Sequence, residues 1–184
     1  MKDNGNVVMK KLLLHTCCAP CASGCIERLF AENRNVTLYF SNSNINSEEE
    51  YEKRLNEVRK FAEHFHLALL IDPYDHAAWL DHVSQVPDYE NQPERGSRCG
   101  ACFAWSLRRT AEEAERLGMN FSTTLTVSPH KNSALIFSIA EKYAHFEPYN
   151  FKKQDGFKRS LELSRELGLY RQNYCGCEFS LTNR

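Results

Sequence analysis

The sequence lacks any apolar run that approaches the roughly 20 residues needed to cross a bilayer. Its first eight residues, MKDNGNVV, contain no apolar core followed by a small-residue cleavage site, so no export signal is visible. A strong net charge is also missing, because 23 basic and 24 acidic residues leave a net charge of -1. A nucleic acid would therefore have to meet a local basic patch. We expect a cytoplasmic protein without membrane contact.

Internal repeats, linkers and low-complexity segments are absent as well. The 184 residues, of which 42% are hydrophobic and 26% charged, suffice for one well-buried core. We therefore expect one domain over residues 1–184.

Cysteine is the residue type that the sequence has in excess. In a reducing cytosol, eight cysteines are typical of metal binding or catalysis more than of structural disulfides. They form an adjacent pair at Cys17 and Cys18, a C-x-x-C motif at Cys99 and Cys102, and a C-x-C motif at Cys175 and Cys177, with two more at Cys21 and Cys25. Two separated thiol pairs followed by a third close pair indicate a metal or cluster site together with a redox dithiol. Cys25 falls within a helical pattern and is most simply a buried hydrophobe.

Apolar runs alternate with helical patterns along the chain. Strands are predicted over Val7–Leu14, Val36–Phe40, Ala68–Ile71 and Phe121–Val127, with a fifth candidate at Phe146–Tyr149. Helical spacing follows over Gly24–Phe30, after the capping box of Ser47 and Glu50, and over Cys102–Leu117 and Asn132–Ala144. This alternation predicts an α/β fold, a Rossmann-like parallel sheet with flanking helices.

Polar loops follow three of the predicted strands, over residues 15–21, 41–47 and 128–132. In open parallel sheets, ligands bind beyond the carboxyl ends of the strands. The fold therefore places the first cysteine pair where chemistry is expected.

The spacing of the cysteines leaves the nature of the metal open. Structural zinc usually takes two C-x-x-C knuckles, and Cys99 with Cys102 supplies one. The vicinal pair of Cys17 and Cys18 suits one small ion less well, because neighbouring side chains are expected to diverge. A wider 4Fe-4S cubane accepts two adjacent thiolates on different irons, and four thiolates complete it.

The vicinal pair, the long gap and the C-x-x-C motif resemble the cluster-binding pattern of assimilatory adenylylsulfate reductases, whose sheet is Rossmann-like. The chain lacks their Ser-Gly-Gly-type pyrophosphate loop, and its first strand leads instead into HTCCAPC. Nucleotide activation is therefore not indicated.

A second resemblance covers nearly the whole chain. The motifs that carry it are LLLHTCCAPC, YEKR, RCGACF, TTL, SPHKN and YRQNYCGCEFS, in that order. Together they resemble the QueH-type epoxyqueuosine reductases, which complete queuosine formation in tRNA. The final string is highly specific, whereas C-x-x-C alone is a weak signal.

The resemblance implies a role for seven of the cysteines. Cys17, Cys18, Cys99 and Cys102 would hold a 4Fe-4S cluster, and Cys175 with Cys177 would form a redox-active dithiol or disulfide. Cys21 would help to bind an additional iron beside the cluster, with a plain buried thiol as the alternative. The substrate would be tRNA carrying epoxyqueuosine at the wobble position, and an unidentified electron donor would supply reducing equivalents.

The conversion of the epoxide to an alkene consumes two electrons and two protons and releases water. A cluster passes electrons singly, a dithiol can store them, and an open iron site can act as a Lewis acid. Candidate proton donors are His15, Asp75, Glu90 and His130, although a structural role is the ordinary expectation for each.

Basic and aromatic residues are interleaved in the second half of the chain, an arrangement that suits phosphates and unstacked bases. The candidates are Lys131, Phe151, Lys152, Lys153, Phe157, Lys158, Arg159, Tyr170, Arg171 and Tyr174. Two alternatives to a reductase stay open: a zinc-stabilised RNA-binding module without catalysis, and a thiol-disulfide enzyme that uses Cys175 and Cys177.

Overall fold

The computed structural model describes residues 10–181. Its centre is a parallel sheet of four strands in the order β3-β2-β1-β4. The strands are β1 (Lys11–His15), β2 (Asn35–Phe40), β3 (Ala68–Ile71) and β4 (Asn120–Thr123). His15 pairs with Tyr39 on one side and with Thr123 on the other, so these three strands end level with one another. The α/β fold with a parallel sheet is confirmed.

Six α-helices accompany the strands within the described residues. They are α1 (Ala19–Ala31), α2 (Glu48–His64), α3 (His76–Ser84), α4 (Ser97–Leu117), α5 (Ser133–Ala140) and α6 (Gly156–Glu166). Short 3₁₀ helices span Thr124–Val127 and Glu178–Ser180. None of the helices within residues 10–181 is both long and apolar enough to cross a membrane.

The core lies on both faces of β1, which is buried because strands and helices cover it on every side. Leu12 and Leu14 pack with α1 and α2, whereas Leu13 packs with α4 and α5 on the opposite face. All three leucines are 0% exposed. A strand buried on both faces reads as a continuous apolar run, which is why LLL predicted it.

Within the described residues, the first three predicted strands are confirmed, whereas the fourth and fifth are not confirmed in full. Val7, Val8 and Met9 of the first predicted strand lie outside the described residues. The predicted strand over Phe121–Val127 is wrong in its second half, because the chain turns into a 3₁₀ helix after Thr123. The Thr123 hydroxyl accepts a hydrogen bond from the Leu125 amide at 3.1 Å, which favours this turn.

The fifth predicted strand is also wrong, since Phe146 makes only an isolated bridge to Phe121. Among the helices, α4 begins five residues before the predicted start at Cys102, and the last predicted helix ends at Ala140. The helices α3 and α6 were not predicted. α6 packs against α1 at Gly24, where a Cβ atom would lie 2.8 Å from the Gly156 carbonyl oxygen.

The topology brings the starts of two helices to one edge of the sheet. α1 follows β1 and therefore begins at the carboxyl end of the strands. α4 precedes β4 in a parallel connection, so it runs against the strands and begins at that same edge. Both cysteine pairs that precede or open these helices are consequently neighbours in space.

A buried carboxylate fastens the same edge. Asp72 directly follows β3 and accepts hydrogen bonds from the Ser41 hydroxyl at 2.7 Å and from Arg109 Nη2 of α4 at 2.6 Å. A second bond joins Arg109 Nε to the same carboxylate. The Asp72 side chain is only 4% exposed, so this ion pair ties α4 to the sheet in a shielded environment.

Arg109→Met should therefore lower the free energy of unfolding by about 2 kcal/mol, because it leaves a buried carboxylate without its charged partner. Urea denaturation of the full chain measures this change. Arg116→Met is the control, since Arg116 lies on the same helix but pairs with Glu113 at the surface. A loss of stability no larger for Arg109→Met than for Arg116→Met would show that the buried pair does not hold α4.

Candidate functional site

The first cysteine loop places three thiols within reach of one metal. Cys17 and Cys18 lie between β1 and α1, and Cys21 lies in the first turn of α1. The three Sγ atoms all lie within 4.8 Å of one another, so the group can hold a metal ion. Cys17 and Cys18 were expected to diverge, but their Sγ atoms are 4.0 Å apart. The extended backbone at Cys18, the N-cap of α1, accompanies this approach.

The second pair opens α4. Cys99 and Cys102 are three residues apart in the first turns of this helix, and residues at that spacing share one helix face. Both line a cavity of about 560 Å³ that Cys17 and Cys21 also line. The first and second cysteine groups therefore open onto one space at the carboxyl edge of the sheet.

The third pair comes to the same cavity from the end of the chain. Cys175 is exposed, Cys177 is partly buried, and both line the cavity. Burial raises the pKa of the Cys177 thiol to about 11, with a further contribution from Cys175. Six thiols from three distant segments thus surround one space: Cys17, Cys21, Cys99, Cys102, Cys175 and Cys177.

Cys25, by contrast, is 0% exposed and belongs to the apolar core between the sheet and α1. The interpretation of Cys25 as a buried hydrophobe is confirmed. Its sulphur donates to the Cys21 carbonyl oxygen at 3.2 Å, within its own helix.

The first loop concentrates negative charge on one sulphur. Hydrogen bonds from Cys17 and Cys21 lower the pKa of Cys18 well below that of an ordinary thiol, and a bond from Gln172 adds to this effect. The same hydrogen bonds, together with burial, raise the pKa of Cys21 well above its usual value. These hydrogen bonds therefore favour negative charge on Cys18 over Cys17 and Cys21.

Hydrogen-bond donors reach the other sulphurs. The Thr124 hydroxyl lies 3.4 Å from Cys17 Sγ, and the backbone N–H of Arg95 lies 3.3 Å from Cys99 Sγ. Burial raises the pKa of Cys102 well above its ordinary value, while the buried indole N–H of Trp79, which makes no ordinary hydrogen bond among the described residues, acts in the opposite direction. Donors aimed at sulphur are the environment that thiolate ligands require.

One ammonium group balances the thiolates. Lys131 lies in the loop before α5 and lines the cavity. The pKa of Lys131 lies well above its ordinary value. The negative charge of Cys175 raises it most, burial lowers it, and the charges of Cys17, Cys21 and Cys18 raise it further. Lys131 therefore stays charged, and the thiolates at this edge lie in a positive field.

A buried arginine fixes the third cysteine pair. Arg54 of α2 is 3% exposed, and its Nη1 atom donates to the Cys175 carbonyl oxygen at 3.0 Å. Its Nε atom donates to Glu50 at 2.7 Å, which keeps the buried charge paired. The backbone N–H of Asn46 donates a hydrogen bond to the Gly176 carbonyl oxygen at 2.9 Å. These contacts attach the C-x-C turn to the start of α2.

Gly176 is required for this attachment. Its φ of +130° lies in a region that side chains rarely adopt, and a Cβ atom would lie 3.1 Å from Arg54 Nη1. The glycine of CGC thus allows the backbone to approach the guanidinium closely.

The four candidate proton donors have different surroundings. The Nε2 atom of His15 lies 3.1 Å from the Ser41 carbonyl, so it carries the hydrogen, and Nδ1 accepts from the Thr123 hydroxyl at 2.9 Å. Burial lowers the pKa of His15, which favours the neutral form of its ring. Asp75 caps α3 by accepting from the Ala78 amide at 2.9 Å. His15 and His130 both line the cavity, whereas Asp75 and Glu90 do not.

The residues that were expected to contact RNA also differ in their surroundings. Phe151 is 2% exposed and belongs to the core, and Arg159 is occupied by Glu27, Glu162 and Glu166. Tyr170 bonds to Glu50 through its hydroxyl and is covered by Lys53. Four of the expected residues do line the cavity: Lys131, Phe157, Arg171 and Tyr174.

Sequence reasoning missed the parts of the site that act through other residues. Arg54, Gln172 and Trp79 were not assigned to it, although all three line the cavity. Arg54 and Gln172 each carried a signal, since Arg54 lies in the motif YEKR and Gln172 lies in YRQNYCGCEFS. Trp79 was expected to be a packing residue and is indeed 1% exposed.

The fold and site define a class of protein: an α/β protein with a thiol-lined cavity at the carboxyl edge of a parallel sheet, beside a cysteine triad that could hold a metal. The family model that describes epoxyqueuosine reductase QueH matches residues 12–183.

Relatives of this family align over most of the chain. Epoxyqueuosine reductase QueH of Thermotoga maritima is 41% identical over 182 residues, which cover 96% of this chain and 93% of the relative. The enzyme of the same name from Streptococcus pyogenes is 37% identical over 182 residues, which cover 94% of this chain and 71% of the relative. The chain belongs to the epoxyqueuosine reductase QueH family, a family of oxidoreductases.

Arg54→Met should loosen the C-x-C segment, because it removes both the carbonyl contact and the partner of Glu50. Amide hydrogen exchange over residues 170–177, followed by mass spectrometry, should become several-fold faster than in the unchanged protein. Arg59→Met is the matched control, since Arg59 lies on the exposed side of α2. Equal exchange in both variants would contradict the anchoring role of Arg54.

Proposed function

We propose that this chain is an epoxyqueuosine reductase, which reduces the epoxide of epoxyqueuosine in tRNA to the alkene of queuosine. The residues that carry out the reaction would form one domain over residues 1–184. The observation that supports this proposal most strongly is the convergence of thiols from three separate segments on one open cavity. Membership of the family supplies the identity of the substrate.

Cys17, Cys18, Cys99 and Cys102 would hold a 4Fe-4S cluster, and Cys21 would contribute to an additional iron. The donor set fits such a group, because every candidate ligand is a sulphur and hydrogen-bond donors or burial surround each one. When bound, the cluster supplies one-electron reduction. A purely structural zinc site is less well supported, since such sites are closed by four ligands, whereas Cys17, Cys21, Cys99 and Cys102 line an open cavity and only Cys18 is buried beside it.

Cys175 and Cys177 would supply the reducing equivalents nearest to the substrate. Oxidation of two thiols to a disulfide releases two electrons and two protons. Loss of the epoxide oxygen as water consumes the same number of each, so the dithiol balances the reaction. A cellular electron donor would then restore the thiols, which suits a reducing cytoplasm.

Lys131 would stabilise the negative charge that accumulates on the thiolates and on the departing oxygen. Its ammonium remains protonated at the cavity, where the surrounding sulphur charges hold it. His130 lies on the same cavity and receives a hydrogen bond from Arg95 Nη2 at 3.1 Å. Lys131 thus supplies positive charge to the cavity from the loop before α5.

The tRNA would be bound around the mouth of the cavity. Arg171 is exposed, and Phe157 and Tyr174 offer aromatic rings beside it. A modified base in an anticodon loop can leave its stack and enter such a cavity, while basic groups hold the adjacent phosphates. A cavity of about 560 Å³ is within the usual range for a small-molecule ligand.

The direct experiment is an anaerobic assay of the iron-loaded protein with tRNA that contains epoxyqueuosine and with dithionite as reductant. Nucleoside mass spectrometry should show queuosine in place of epoxyqueuosine. The zinc-loaded protein serves as the control. A brown, cluster-containing protein that leaves the epoxide intact would refute the proposed reaction.

Cys175→Ser should keep the bound cluster but abolish turnover, because the dithiol loses one sulphur. Visible absorbance and iron content measure the first effect, and the tRNA assay measures the second. Cys25→Ala, which alters only a buried core thiol, should retain activity. Loss of the cluster from Cys175→Ser would instead make Cys175 a ligand.

Binding of the anticodon stem-loop should weaken as salt is added, and Arg171→Ala should reduce the slope of log K against log salt by about 1. Arg159→Ala is the matched control, because three glutamates already occupy its guanidinium. Equal slopes for both variants would remove Arg171 from the RNA surface.

A further inference from the structure

One side chain connects the third cysteine segment with the first cysteine loop. Gln172 stands three residues before Cys175, and its Nε2 atom lies 3.1 Å from Cys18 Sγ. The contact joins residues that are 154 positions apart. Cys18 is itself 1% exposed, so this hydrogen bond is shielded from water.

The rest of the Gln172 amide shows that this orientation is specific. Its Oε1 atom is buried and has no hydrogen-bond partner among the described residues. Reversal of the amide would place oxygen lone pairs against the lone pairs of the Cys18 sulphur, which is unfavourable. A buried carbonyl without a partner is destabilising. The side chain tolerates this cost while its N–H groups face the Cys18 sulphur.

The other donors to sulphur differ from Gln172 in origin. Arg95 contributes a backbone N–H, which the start of α4 holds in place. The Thr124 hydroxyl is held in place as well, because it accepts a hydrogen bond from the Cys17 backbone N–H at 3.2 Å. Among the described residues that donate to sulphurs of the first loop, Gln172 alone comes from the segment of Cys175 and Cys177. Its amide can therefore transmit a change in that segment to the first loop.

We propose that Gln172 is a positioning residue that donates a hydrogen bond to Cys18 and thereby raises the reduction potential of the cluster held there. The inference rests on the proposed function, since it assumes that Cys18 ligates a 4Fe-4S cluster. A hydrogen bond to a ligand sulphur withdraws negative charge, and so it stabilises the reduced cluster more than the oxidised one. Through Gln172, the redox segment would also help to set the potential of the cluster that it serves.

The test replaces the donor and keeps the size of the side chain. Gln172→Met in the full, iron-loaded chain should leave the iron content unchanged but make the midpoint potential more negative. We expect the equilibrium between the oxidised and reduced forms to change about tenfold, or about 59 mV for one electron. An anaerobic redox titration followed by electron paramagnetic resonance measures the shift.

Two further variants make the outcome decisive. Gln172→Glu adds negative charge beside Cys18 and should lower the potential at least as far, and it replaces Gln172→Met if that variant does not fold. Gln85→Met, at the end of α3 and exposed, should not change the potential. An unchanged potential in a cluster-containing Gln172 variant would overturn the proposal. So would loss of the cluster from both Gln172 variants with native circular dichroism, since Gln172 would then serve assembly.

The result is separable from that of the proposed function. If the unchanged protein holds a cluster but does not convert epoxyqueuosine, the reaction is refuted while the comparison of potentials remains valid. If it converts the substrate and the potentials are equal, the role of Gln172 alone is refuted.

Discussion

The parallel direction of β1 and β4 is the constraint on which the site depends. It requires both α1 and α4 to begin at the carboxyl edge of the sheet. The cysteines of HTCCAPC and RCGAC each lie at one of these helix starts, so residues about 80 positions apart in the sequence line one cavity. The positive ends of both helices also face the same space, where they favour anionic sulphur.

Charge compensation makes such a cluster of thiols tolerable in a folded protein. Buried thiolates cost free energy unless cations or hydrogen-bond donors accompany them. Lys131 supplies a full positive charge, and donors from α4, from the turn after β4 and from the last segment supply the rest. The third segment is then held by Arg54, whose own charge is paired with Glu50. The cavity therefore depends on α2 and on the end of the chain as well as on the sheet.

The sequence allowed the central strands to be predicted because burial on both faces leaves a continuous apolar run, as in LLL of β1. The start of α2 was equally clear, since the Ser47 hydroxyl accepts from the Glu50 amide as the capping pattern predicts. The end of β4 was mistaken because Thr123 and Thr126 suit a strand by propensity, whereas their hydroxyls bond to nearby backbone and favour a turn. α6 was missed because its burial depends on α1, which lies more than 100 residues earlier.

For the site, motif spacing identified the cysteines, but spacing contains no distances between segments. The partners of Cys18 and Cys175, namely Gln172 and Arg54, are visible only once the chain is folded. The most direct test of the account is iron-edge anomalous diffraction from crystals of the anaerobically iron-loaded protein. The account predicts a cluster of four irons bounded by the sulphurs of Cys17, Cys18, Cys99 and Cys102, with the additional iron next to Cys21. A single zinc ion on Cys17, Cys18 and Cys21, with Cys99 and Cys102 free of metal, would contradict it.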